Sequence, residues 1–346
     1  MLIWHRQIAG LIGCGAMLLA AGAGAATSLK VVQRWTVGGA GGWDYLTLDS
    51  SGSRLFISRA TRVDVLDTAT GKVTGSVPNT SGVHGIALDE KSKRGYASNG
   101  RADSVTVFDL DSLATIKEAP ISGHNPDAIL FEPVGKHVFT FNGRSKDVTV
   151  LDAAGLKVVA TLPVPDKPEF AVDDGQGQIF VNIESEHGQM VVIDSRKLSI
   201  KTTWPLPGCA SPSGLAIDKL HHRLFSVCDG KVMVVTDAIS GTQVAIVKIG
   251  EGPDAVAYDA KRALVYSSNG DGTLSVVQQE SADRYSIVQS LATQRGARTM
   301  ALNPVSGKVY LVSADFQSAP PATPEQSHAR PAPVPDSFTI LVVGPR

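Results

Sequence analysis

Residues 123–132 read GHNPDAILFE: a histidine, an asparagine and an aspartate crowd around a proline, and an apolar run follows at once. Six other stretches align with it: GGWDYLTLD (41–49), SGVHGIALD (81–89), DKPEFAVDD (166–174), ASPSGLAID (210–218), EGPDAVAYD (251–259) and RGARTMALN (295–303). The seven end on Asp49, Asp89, Glu132, Asp174, Asp218, Asp259 and Asn303, at intervals of 40 to 44 residues. A fixed period of this size marks a repeat architecture. GHNPDAILFE is therefore one of seven equivalent places in the chain.

Each unit continues in the same way. A polar turn leads to a strand that ends in polar residues, as in RLFISR (54–59), RGYASN (94–99), HVFTFN (137–142), QIFVNI (178–183), RLFSVC (223–228), LVYSSN (264–269) and KVYLVS (308–313). A third strand follows, as in SVTVFD (104–109) or DVTVLD (147–152), and a fourth, as in KVVATLPV (157–164). β-branched residues in period-two alternation, broken by Gly and Asp turns, form short antiparallel strands. Four strands per repeat of about 42 residues build one blade of a β-propeller. The expected fold is all-β, a seven-bladed propeller. The seventh unit ends after SFTILVV (337–343) without a fourth strand, and LKVVQRWTV (29–37) matches the missing pattern. The N-terminal strand is expected to close the last blade and remove two exposed sheet edges.

RGYASNGRADSVTVFDLDSLATI (94–116) and HVFTFNGRSKDVTVLDAAGLKVVATLPV (137–164) resemble the YVTN-type propeller repeat. The resemblance covers nearly all of the chain after residue 26 and is similar to the YncE-like group of exported bacterial propellers. It implies the fold and export, and it assigns no particular activity. The fourth unit departs from the pattern, with Asn182-Ile183-Glu184 in place of Ser-Asn-Gly, and the seventh carries a long insertion.

Composition agrees. With 346 residues and 43% hydrophobic content the chain can bury a large core, and 34 glycines and 19 prolines suit many turns. A formal net charge of −1 argues against an electrostatic nucleic-acid binder. Residues 1–26 read as a secretory signal, with Arg6, an apolar stretch from Ile8 to about Ala21 and small residues around Ala23–Ala26. The Leu11–Cys14 box offers lipid anchoring at Cys14 as a minor alternative, and the apolar run is too short for a membrane span. Residues 27–346 then form a single propeller domain, a periplasmic or secreted monomer. Residues 315–336 are a Pro-rich insertion between the second and third strands of the last blade, with a lid over the channel as its functional reading. Cys209 and Cys228 remain after export. They lie where the fifth unit's first strand begins and its second ends, which predicts a disulfide.

The loops entering the innermost strands share one face of the ring with the loops between second and third strands. The residues just before the inner strands are Asp44, His84, Asp127, Glu169, Ser213, Asp254 and Arg298. Arg59, Arg101 and Arg144 are expected beside them as a basic arc, opposite an acidic arc of Glu184, Glu186, His187, Asp229 and Asp271, with His124 nearby. Guanidinium groups suit carboxylates and phosphates through bidentate hydrogen bonds. The expected function is a binding or scaffold role for this mouth face, with a small anionic molecule or a protein as partner. The alternatives are a metal-dependent, lactonase-like hydrolase and a redox accessory protein, the last without a haem or quinone motif. A divalent cation would find candidate ligands in His84, Asp127, Glu169 and Asp254. Against these stands inter-blade hydrogen bonding, which uses the same residue types. No GxSxG elbow is present, and GGAGGWD (38–44) leads into a strand, so nucleophilic catalysis and phosphate-loop binding lack a motif.

Overall fold

The computed structural model describes residues 28–318 and 331–345. The expected signal, including Cys14, and residues 319–330 of the Pro-rich insertion lie outside the described residues. Among the described residues every regular element is a strand, and no helix is long and apolar enough to cross a membrane.

Twenty-eight strands form seven separate four-stranded sheets. Blade two shows the plan: Val83–Asp89 is innermost, followed outward by Arg94–Asn99, Ser104–Asp109 and Thr115–Pro120, each antiparallel to the last. The last blade runs Met300–Leu302, Val309–Ser313, Thr339–Pro345 and then Leu29–Thr36, so the N-terminal strand does close the ring. Apolar clusters fill the wedges between neighbouring blades. One joins Phe139, Val150 and Leu162 of blade three to Val181 and Val191 of blade four.

The polar end of each second strand has a structural reason. Asn99 donates through Nδ2 to Ser104 Oγ at 3.0 Å and Thr106 Oγ1 at 2.8 Å. Asn142 reaches Asp147 and Thr149 in the same way, and Asn269 reaches Thr273 and Ser275. The serine before the asparagine ties one blade to the next. Ser98 Oγ donates to the carbonyl of Asp127, and Ser268 Oγ donates to the carbonyl of Arg298. In blade four Asn182 takes over this role, donating to the Ser213 and Gly214 carbonyls.

In blade five Cys228 occupies the asparagine slot and is joined to Cys209, with Cα atoms 5.2 Å apart. Both residues are buried. Replacing the pair by serine should cost about 3 kcal/mol, the scale for a loop closed by a separation of 19 residues. Urea denaturation would measure it, and an unchanged midpoint would contradict the estimate.

Candidate functional site: the channel mouth

In blades two to six the mouth residues do not precede the inner strands. They lie within them, at an irregularity in strand pairing. Register slips between Val83 and Ile86, Pro126 and Ile129, Pro168 and Ala171, Pro212 and Leu215, and Pro253 and Ala255. His84, Asp127, Glu169, Ser213 and Asp254 each sit at such a bulge. A bulge twists the strand locally and re-aims side chains. Asp44 and Arg298 stand two residues ahead of the short inner strands Leu46–Leu48 and Met300–Leu302. Glycine beside the bulge admits the next blade: a Cβ on Gly214 would lie 2.7 Å from the Asp254 carbonyl.

The mouth has an aromatic floor. The rings of Tyr45, from blade one, and Phe170, from blade four, are 5.4 Å apart. Those blades are not neighbours, so the contact spans the channel. Burial and the surrounding Asp127, Glu169, Asp44 and Asp254 raise the Tyr45 hydroxyl well above its ordinary pKa, which places all four carboxylates around it.

His84 Nδ1 lies 2.6 Å from Asp44 Oδ2 and 3.8 Å from Asp127 Oδ1. Burial alone would lower the imidazole pKa, but the hydrogen bond to Asp44 and the charges of Asp127, Asp44 and Glu169 raise it. Lys167 Nζ is 2.8 Å from Glu169 Oε2, off the line a hydrogen bond needs, and it also pairs with Glu184. Glu169 Oε2 is consequently buried without a hydrogen-bond donor. Arg298 Nε is 3.2 Å from Asp254 Oδ2. Burial, reinforced by Asp44, pushes Asp127 up to about 6 despite His84 and Lys167. Burial and Asp127 push Glu169 up to about 8 against Lys167. Asp254 reaches about 6, again through burial, with Arg298 opposing.

These acids hold protons in the folded chain that they would lose when unfolded. Their stabilising effect is complete below the ordinary carboxylate range and disappears as pH rises through about 6 and about 8. Stability should therefore fall as pH rises from about 5 to about 8.5. The double variant Asp127→Asn, Glu169→Gln should flatten that slope in thermal scans across pH. A parallel slope in both proteins would assign the effect to other groups.

The basic arc is not assembled. Arg59 is fully buried. Its guanidinium lies 3.8 Å over the Phe338 ring, donates to the Gly38, Gly39 and Ala40 carbonyls, and faces Asp64 at 3.6 Å. Burial lowers its pKa to about 10. The reason is visible in the repeat: Arg59 aligns with Asn99 and Asn142, not with Arg101 and Arg144, and Asp64 aligns with Thr106 and Thr149. An Arg–Asp pair replaces the Asn–Thr hydrogen bond of blades two and three. Arg101 and Arg144 are exposed and make no ion pair with the mouth carboxylates.

The remaining expected residues are peripheral. His124 is exposed and binds Asp103 at 2.8 Å, outside the acid ring. Glu186 and His187 are exposed at a shallow depression bordered by Pro205–Ala210, and a second depression lies between Thr61, Arg62, Pro78, Asn79 and Ser81. Neither depression includes a mouth carboxylate. Asp229 is exposed, its pKa raised by partial burial and Glu184, while Asp271 accepts from Thr273 within its own turn. Trp43 is a packing residue, between Phe316 and Phe338 at 6.2 and 5.2 Å. Phe316 bridges to Pro333, so the described ends of the Pro-rich insertion meet beside it. The important residues that sequence reasoning passed over are Lys167, which precedes Glu169 by two positions, and Phe170. The mouth is thus acidic, with Lys167, Arg298 and His84 as its positive groups, and it does not present the anion-receiving surface expected of an arginine arc.

A family model described as "Lactonase, 7-bladed beta-propeller" matches residues 46–155, which span the first two blades and most of the third. No curated protein sequence gives a significant match. Among solved structures the chain is similar to one of hydrazine synthase from Kuenenia stuttgartiensis, with a TM-score of 0.70 and 18% identity over 85% of this chain and 96% of that one. It is also similar to a chain in a structure of U3-55K, with a TM-score of 0.72 and 12% identity over 91% of this chain and 99% of that one. At such identities the likeness is one of fold. The blades, the family match and these likenesses agree on a seven-bladed β-propeller.

Proposed function

We propose that this chain is an exported, YncE-like binding protein that holds a small, positively charged ligand in the mouth of its channel. The observation that carries the reading is the convergence of Asp44, Asp127, Glu169 and Asp254 over the Tyr45–Phe170 floor, beside few cations of their own. Carboxylates held close together raise one another's pKa until a cation relieves them, and aromatic faces attract cations. The Cys209–Cys228 disulfide supports an oxidising compartment.

Binding of a small organic ammonium probe and of a dicarboxylate, followed by calorimetry, tests the sign of the ligand. The ammonium should bind, and Asp254→Asn should weaken it about tenfold, the scale of one charge-assisted contact. Binding of the dicarboxylate alone, dependent on Arg101 and Arg144, would instead restore the anionic reading.

The family match over 46–155 favours a second reading, a lactone hydrolase acting at the same mouth. Hydrolysis of simple lactones that is lost in Asp127→Asn would support it, and rates equal to buffer would remove it.

A further inference from the structure

Within the acidic mouth three side chains stand apart. Asp44, His84 and Asp127 each present one donor atom, and the three atoms lie within 4.8 Å of one another. The other ring acids have cations at hand: Lys167 at Glu169 and Arg298 at Asp254. Two of the four ligands expected from sequence are thereby engaged elsewhere, and Asp44 joins His84 and Asp127 instead. Asp127 is half-buried, its carboxylate accepts no hydrogen bond among the described residues, and His84 Nδ1 lies 3.8 Å from it. A partly desolvated carboxylate that faces a second carboxylate and an imidazole nitrogen offers a cation a place between them.

The imidazole is held for the same purpose. Residue 100 is glycine, and a Cβ there would lie 2.7 Å from His84 Cδ2 and 2.8 Å from Nε2. The far edge of the ring therefore rests against backbone, and Nδ1 faces the two aspartates.

We infer that Asp44, His84 and Asp127 bind one first-row divalent transition cation, of the Zn²⁺ or Mn²⁺ type. This rests on the reading of the mouth as a cation site and names its ligand. One imidazole nitrogen with two carboxylate oxygens suits such ions, where an all-oxygen shell would suit Ca²⁺ or Mg²⁺. The ion takes the place of the proton that His84 shares with Asp44, and that proton leaves to solvent. Solvent or a ligand group fills the rest of the coordination shell, since the three protein donors leave it open.

The test is a metal titration of the full chain after stripping with a chelator, using Zn²⁺ in calorimetry and Mn²⁺ in electron paramagnetic resonance. One equivalent per chain should bind. His84→Gln and Asp127→Asn should each weaken binding at least tenfold, whereas Asp271→Asn, in a peripheral turn, should change it less than threefold. Circular dichroism of the stripped variants checks that they fold. The wild-type Mn²⁺ complex gives an answer that needs no variant: its spectrum should carry coupling to a single imidazole nitrogen. No binding at millimolar metal, a complex without nitrogen coupling, or stoichiometric binding unchanged in both variants would overturn the site. If metal fails while the ammonium probe still binds in an Asp254-dependent way, the inference falls and the binding role stands. If neither binds, both fall.

Discussion

Removal of residues 28–36 should leave the chain without a stable monomeric fold. The strand Leu29–Thr36 pairs antiparallel with Thr339–Pro345 along its whole length, from Leu29 opposite Pro345 to Thr36 opposite Thr339. It also closes the ring in both directions. Trp35 packs 5.8 Å from Tyr310 in its own blade, and the same indole covers Gly71 at a turn of blade one. On the other side, Leu29 exchanges two hydrogen bonds with Gln289 of blade six. Without this strand Thr339–Pro345 becomes an open, apolar edge, which invites pairing with other chains. A net stability of about 5–15 kcal/mol is small beside the loss of a whole strand and its contacts. Size-exclusion chromatography and circular dichroism should show aggregated or unfolded protein, and a synthetic peptide of residues 28–37 added in trans should recover part of the fold. A soluble monomer melting like the full chain would show that blade seven is stable with three strands.

Arg59→Ala is expected to cost about 3–5 kcal/mol, the scale for breaking a buried ion pair from one side. The loss has three parts. Asp64 keeps its bidentate contact with Arg62, at 2.7 and 3.0 Å, but loses its buried partner. The carbonyls of Gly38, Gly39 and Ala40 lose their common donor, and the face of Phe338 loses the guanidinium stacked on it. These groups belong to the segment between the closing strand and blade one and to the start of the third strand of blade seven. The substitution should therefore loosen the same seam as the truncation. Chemical denaturation would measure the loss. The paired replacement Arg59→Asn, Asp64→Thr restores the side chains of blades two and three and should recover part of it. A single variant within 1 kcal/mol of the parent would mean the arginine contributes little beyond filling space.

The fold could be read from the chain because its information is local and repeated. A turn, an alternating strand and a second strand with a polar end recur around the ring, with Ser-Asn at that end in blades two and six, and each copy restates the same blade. Even the closing strand was legible, since the seventh unit lacked a fourth strand that residues 29–37 supplied. The positions of Cys209 and Cys228, at the start of one strand and the end of its antiparallel neighbour, likewise led to the pairing observed.

The site was only half legible. Repeat position brought Asp44, His84, Asp127, Glu169, Asp254 and Arg298 to one opening, because equivalent positions in a closed ring face a common axis. Which of them meet which was decided by tertiary structure. The bulges aim each side chain, and the aim differs between blades. Lys167 takes Glu169, Arg298 takes Asp254, and His84 is left between Asp44 and Asp127. Arg59 misled for a related reason: a charged residue beside a loop suggests a surface, but its place in the asparagine slot turns it inward. The contact of Tyr45 with Phe170 across the channel lies beyond any local pattern, since those residues are 125 positions apart and meet only when the ring closes. By itself the sequence determined the seven blades, their order and the face on which polar residues gather, because hydrogen bonding and side-chain alternation along a strand are local. Closure of the ring decided the charge balance of the mouth, because desolvation and ion pairing depend on distances between blades that no single repeat contains.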